Sequence, residues 1–220
     1  MNLIRRYVDL EGARVLDIGC GIGTYVEKLS EISGEVYGVD IDAKRVQNGK
    51  TKGLSVAVSE RLPFADGSFD VVLLNEVIEH VRDDAETLQE ACRILRPGGH
   101  VVIYAPNRLY PFETHGVYLG KRYVFGNIPL VNYLPNVLRR RLVPHARAYT
   151  SAGLRRIIGD LDTDLIVHTQ IYPGFDNIAA RSKAIGGLLR AVFYRLENSF
   201  MRVFGLSHFI VLRTRGRSNG

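Results

Sequence analysis

Between residues 13 and 106, short apolar runs alternate with stretches whose apolar residues recur at helical spacing. The runs are ARVLDIG, EVYGVDI, LSVAVSE, FDVVLLN and HVVIYAP. Between them lie TYVEKLSEI, AKRVQNGKTKG and DAETLQEACRIL, the last opened by RDDAE and broken by RPGG. Strands separated by helical crossovers predict an α/β, Rossmann-like, doubly wound and mostly parallel sheet whose strands are buried on both faces.

The pattern changes after Pro106. Residues 107–147 carry several prolines, many aromatics and little periodicity, and read as a lid or substrate-recognition insertion. TSAGLRRIIGDL then predicts a helix capped by Thr150 or Ser151. DLIVHTQIYPG reads as a sixth strand and HFIVLRTR as a seventh. Between these two, residues 177–205 read as one basic helix weakened by Gly186 and Gly187.

The chain of 220 residues suits a single domain, 1–220, and its 46% hydrophobic content supports a full core, with disorder expected only in the RGRSNG tail. No apolar run approaches the roughly 20 residues that a bilayer span needs. The opening MNLIRRYVDLEG has no apolar core of a signal peptide. Cys20 and Cys92 match no zinc or disulfide spacing, so a reducing cytoplasm is expected. Charge is uneven. Residues 1–106 hold 12 Lys/Arg against 17 Asp/Glu, net −5, and residues 107–220 hold 17 against 6, net +11. Such a basic half suits an anionic substrate, a membrane surface or a nucleic acid, or serves simply as a solubilising surface.

Gly19, Gly21 and Gly23 lie in VLDIGCGIGTY, between the first strand and the first helix. A glycine turn there lets a ligand approach the backbone and the helix N-terminus. The G-x-G-x-G spacing departs from the dinucleotide pattern. Asp17 also enters the turn straight from the strand, and its charge repels phosphate but suits an ammonium or sulfonium group. Asp40 ends the second strand, 17 residues after Gly23, where a carboxylate can accept both ribose hydroxyls, and Ile41 beside it offers an apolar surface to a purine. A cationic tail, a ribose-purine and no phosphate describe S-adenosylmethionine.

Four segments, VLDIGCGIGTY, VYGVDID, SERLPFADGSFDVVLLNEVIEHVRD and ILRPGGHVVIYAPN, resemble successive motifs of class I S-adenosylmethionine-dependent methyltransferases. The likeness is greatest to the group that includes the ubiquinone and menaquinone biosynthesis enzymes. It covers residues 13–107 in order and spacing, and 145–214 only as a helix–strand–helix–strand ending. The resemblance implies a seven-stranded sheet with an antiparallel seventh strand between the fifth and sixth. It also implies that Asp17, Gly19, Gly21 and Gly23 line the methionine part, that Asp40 holds the ribose, and that residues 59–61 border the adenine. Many relatives carry an acidic residue five positions before the proline of LPF. Here that position is Val58, so the contact falls to Ser59, Glu60 or backbone.

NEVIEHV, residues 75–81, places Glu76, Glu79 and His80 at i, i+3 and i+4, which on a helix is one face. The resemblance puts this segment at the carboxyl end of the fourth strand. Asn75 then lies against the cofactor through its backbone, and His80 points at the methyl or its acceptor. A histidine suits the base that removes a hydroxyl proton, and His145 is a second candidate. The alternative is that Glu79 and His80 only cap a helix and hold the cofactor wall. The Glu-x-x-Glu-His spacing also resembles that of small-RNA 3′-terminal 2′-O-methyltransferases and some quinone O-methyltransferases, which bind a metal with a later histidine. His115 and His145 are available for that role. The reading adopted is that no metal is obligatory. His115 sits among Tyr110, Phe112, Tyr118 and Tyr123, a substrate wall or the insertion's own small core. Arg139, Arg140, Arg141 and Arg147 read as anion ligands or as a solvated face.

The expected activity is methyl transfer to a hydroxyl of a small-molecule, lipid-linked or saccharide acceptor. An RNA methyltransferase and a non-catalytic cofactor-binding partner subunit are the alternatives. The lack of a separate basic-aromatic module disfavours nucleic acid. Arg181, Lys183, Arg190, Arg195 and Arg202, beside Leu188, Leu189, Val192, Phe193 and Phe200, raise the expectation of peripheral contact with an anionic membrane.

Overall fold

The computed structural model describes residues 1–215, and of Asp176 and Asn177 the backbone only. Residues 216–220 of the expected disordered tail lie outside the described residues. The alternating pattern is realised as β1 (Arg14–Ile18), α1 (Thr24–Ser30), β2 (Glu35–Asp40), α2 (Ala43–Gln47), β3 (Leu54–Val56), β4 (Phe69–Asn75), α3 (Asp84–Arg93) and β5 (Leu95–Pro106). The RPGG segment ends the helix, as its composition predicts, but lies inside β5. Pairing with β4 shifts register between Phe69 and Val71, which accommodates the turn-forming residues.

The chain continues through β6 (Phe112–Glu113), β7 (Val117–Leu119), β8 (Arg122–Val124), β9 (Ile128–Pro129), α4 (Asn136–Leu142), α5 (Ser151–Gly159), β10 (Thr163–Ile171), α6 (Asp176–Arg181), α7 (Lys183–Glu197) and β11 (Ser207–Thr214). Seven strands form one sheet in the order β10-β11-β5-β4-β1-β2-β3, mostly parallel with one antiparallel strand. The last strand in sequence, β11, lies between β5 and β10, as the resemblance implies.

The chain divides into two compact units, residues 1–104 with 154–168 and 210–220, and residues 105–153 with 169–209. In the first unit, β1 is flanked by β2 and β4 and buries Val15, Leu16 and Ile18. Caps follow local chemistry. The Asp42 carboxylate accepts from the N–H groups of Lys44 and Arg45, and Asp83 accepts from Glu86 N–H, holding the starts of α2 and α3. α3 buries Leu88 and Ala91 on one face.

The second unit holds residues 107–147, which have structure of their own. β6 pairs antiparallel with β9, and β7 with β8. Val117, Val131, Val143 and Ala146 form a small core. A buried polar cluster ties it together. Arg139 donates to Glu113 (2.6 Å), Asn132 Oδ1 (3.1 Å) and the Ala146 carbonyl (2.9 Å). Arg139 is therefore neither an anion ligand nor part of a solvated face, whereas Arg140 and Arg141 are exposed. Burial, the largest influence, acts upward on the Glu113 carboxyl, but the His115 hydrogen bonds, followed by this ion pair, hold it at about 2.

The expected single helix over 177–205 is two helices and a final 3-10 turn. The break falls at Ser182, whose extended backbone and side chain cap α7, rather than at the glycines. Gly186 has a packing role: a Cβ there would sit 2.4 Å from the Ala179 Cα, so its absence lets α7 close against α6.

Candidate cofactor and active site

The carboxyl ends of β1 and β2 meet at two buried aspartates. Asp40 accepts the Gly21 N–H at Oδ2 and the Asp42 N–H at Oδ1, both at 2.8 Å. One carboxylate thus fixes the glycine turn and the exit of β2, while each oxygen keeps acceptor capacity for a further donor. Asp17 is buried in β1. Burial first, and then the Asp40 charge, push its carboxyl up to about 7.

All three motif glycines have left-handed backbones, φ +74° at Gly19, +57° at Gly21 and +88° at Gly23. Gly19 is further constrained because a Cβ would meet Val77 Cγ2 at 2.5 Å. A Cβ on Gly21 would meet nothing within 4 Å, so the turn opens onto free space at that position. Ile41 is 73% exposed at the tip of β2, as an apolar platform for a flat ring requires.

Residues 59 and 60 turn inward to their own neighbours. Ser59 Oγ donates to Glu60 Oε2 (3.1 Å) and also pairs with Thr87 Oγ1 (3.1 Å). Glu60 Oε1 accepts the Arg82 N–H at 3.0 Å and the Asp83 N–H at 3.4 Å. These bonds lower the Glu60 carboxyl against the upward push of its partial burial. Glu60 thereby anchors the approach to α3.

NEVIEHV is not helical. Asn75 is the last residue of β4, paired in register with Tyr104. Glu76 has a left-handed backbone, φ +56°, and its N–H is held by the Tyr104 carbonyl. Residues 78–80 form a tight turn closed by the His80 N–H on the Val77 carbonyl. The i, i+3, i+4 face expected for Glu76, Glu79 and His80 therefore does not exist. Instead, Glu79 is buried, and its Oε1 lies 3.7 Å from Nε2 of His80, whose side chain is 44% exposed.

In the second unit, His145 Nε2 lies 3.1 Å from the His115 carbonyl, an acceptor, so that nitrogen carries the proton. The Tyr118 and Tyr123 rings flank His145 edge-on. His115 Nδ1 lies 3.0 Å from Glu113 Oε1, and Tyr123 donates its hydroxyl to the His115 carbonyl. Tyr118 and Tyr123 thus tie the His115 and His145 segments together within this unit. No sequence signal pointed to Glu113, since its partner Arg139 lies 26 residues away.

Sheet order, an acidic glycine turn and a second acidic strand tip together define the class I S-adenosylmethionine-dependent methyltransferase architecture. Residues 16–103 match the family described as "Methyltransferase domain", and this match together with the fold implies S-adenosylmethionine as the cofactor. A ubiquinone biosynthesis O-methyltransferase of Xanthomonas oryzae pv. oryzae is 33% identical over 117 residues, 49% of this chain and 49% of that one. The Caulobacter sp. protein of the same name is 39% identical over 108 residues, 44% and 42% of the two chains. The chain thus spans about half the length of the curated relatives it matches. An S-adenosylmethionine-dependent methyltransferase from Mesorhizobium loti superposes with a TM-score of 0.65 at 17% identity, covering 96% of each chain. Another, from Methanosarcina mazei, gives 0.64 at 16% identity over 99% of each. Both show the fold.

The residues present fit this cofactor. A buried aspartate whose ionised form is disfavoured by burial and by the Asp40 charge suits a cationic tail, Asp40 has acceptor capacity left for ribose hydroxyls, and the Gly21 backbone is open to close approach.

Proposed function

We propose that the chain transfers the methyl group of S-adenosylmethionine to a hydroxyl of a small-molecule, lipid-linked or saccharide acceptor. Asp17 and Asp40, the two aspartates brought together at the carboxyl ends of β1 and β2, carry this reading. The cofactor supplies an electrophilic methyl on a sulfonium. Asp17 balances the cationic tail, and Asp40 orients the ribose. His80 takes the hydroxyl proton as the new O–C bond forms and the S–C bond breaks, and Glu79 stabilises the imidazolium that results. Hydroxyl as the acceptor group agrees with the curated relatives, which are named O-methyltransferases.

S-adenosylmethionine and S-adenosylhomocysteine should raise the melting temperature, and NAD should not. Labelled methyl should pass to a simple catechol, a prenylated catechol or a free sugar. His80→Ala should lower turnover about a hundredfold with cofactor affinity nearly unchanged. Unchanged turnover in that variant would remove His80 from the chemistry. The absence of any melting shift with either ligand would overturn the cofactor reading itself.

A further inference from the structure

We propose that α7 and the turn that follows it, Phe200–Phe204, form a docking surface for an anionic phospholipid bilayer. The helix has two apolar sides with different fates. One is packed inside the second unit. Gly186 closes on Ala179, Phe193 stacks 5.0 Å from both Tyr172 and Phe175, and Arg190 Nε donates to the Gly174 carbonyl. At 100° per residue, Ile185, Leu188 and Val192 project elsewhere. They are 55%, 66% and 48% exposed, and Phe200 beyond the helix is 81% exposed. Large apolar side chains repeated at i, i+3 and i+7 and left in water mark a surface that binds something.

Charge identifies the occupant. Arg181 at the end of α6, and Lys183, Arg195 and Arg202 along α7 and the turn after it, are all exposed. The unit that carries it holds 12 Lys/Arg against 3 Asp/Glu, net +9, whereas the other unit holds 17 against 20, net −3. Of those three acids, Glu113 is buried against Arg139, and Glu197 accepts the Tyr172 N–H at 2.7 Å. The third is Asp176. An apolar stripe with cations along the same segment matches the boundary between anionic headgroups and acyl chains. A second copy of this chain would bring a second set of cations against the first. Among the described residues no helix is long and apolar enough to span, so the contact is one of lying on the surface.

Flotation of the full chain tests this independently of catalysis. It should float with vesicles of phosphatidylcholine containing about one-third phosphatidylglycerol, and not with phosphatidylcholine alone. Each exposed cation neutralised to Gln among Arg181, Lys183 and Arg195 should weaken partition roughly fivefold, following the worth of a basic residue near an anionic surface. Leu188→Glu and Phe200→Ser, both on exposed positions that leave the fold intact, should abolish it, with an unchanged melting temperature as the control. Equal binding to neutral vesicles, or none to anionic ones at low salt, would overturn the proposal. So would concentration-dependent dimers in sedimentation that Leu188→Glu dissolves, because that face would then belong to a second copy.

Discussion

The backbone N–H of Gly21 donates to Asp40 Oδ2 at 2.8 Å, joining the turn after β1 to the tip of β2. The other oxygen takes the Asp42 N–H, so a single side chain fixes both the turn after β1 and the exit of β2. Asp40 is therefore a structural residue, whatever it later binds.

Asp40→Ala should remove both bonds at once. Hydrogen bonds to a charged group contribute about 1.5–3 kcal/mol each. The variant should lose a few kcal/mol of stability in urea unfolding as well as most of the melting shift with S-adenosylmethionine. Asp40→Asn keeps one acceptor oxygen and should lie between it and the native chain. A variant with native stability and no melting shift would make Asp40 a ligand alone.

Asp17 sets a pH dependence of known sign. Its folded carboxyl titrates at about 7, above the ordinary value of 3.8, so the ligand-free folded state holds a proton that the unfolded chain releases. The stability associated with that proton is fully present below 3.8 and is lost as pH rises through about 7. A cationic ligand prefers the ionised form. Its Kd, measured by calorimetry, should weaken about tenfold per pH unit below 7 and level off above. In Asp17→Asn this slope should vanish. A Kd independent of pH from 5 to 8 in the native chain would place the cation elsewhere.

The Glu113–Arg139 pair predicts acid sensitivity in the second unit. Glu113 is held at about 2 in the folded chain, below the ordinary 4.5. Its stabilisation is present above 4.5 and is lost as pH falls towards about 2, on the order of 3 kcal/mol in all. Arg139→Ala takes the counter-charge from a buried carboxylate that keeps only its His115 hydrogen bonds, and should cost about 3–5 kcal/mol. Arg140→Ala, at an exposed neighbouring position, should cost under about 0.5 kcal/mol. Comparing the two variants by denaturant unfolding separates a buried rivet from a charged surface.

NEVIEHV shows where sequence periodicity misleads. Its spacing is helical, but the Glu76 N–H is taken by the Tyr104 carbonyl on β5, and the backbone turns left-handed there. A bond to a residue 28 positions away is invisible to local pattern. The basic segment behaves likewise. Gly186 reads as a helix weakener, yet it sits within α7 because Ala179 needs the space that a Cβ would fill. Arg139 reads as one of three like arginines and is singled out only by Glu113.

The cofactor half was legible because its determinants are local. A strand period, a cap, a glycine at positive φ and an acid at a strand tip each act within a few residues, whereas the sheet order β5-β4-β1-β2-β3 departs from the order along the chain. The tertiary structure alone decided which carboxylate braces the glycine turn, which arginine is buried, and which side of α7 remains in water. These are pairings between distant segments, settled by burial and hydrogen-bond satisfaction once the chain has closed on itself.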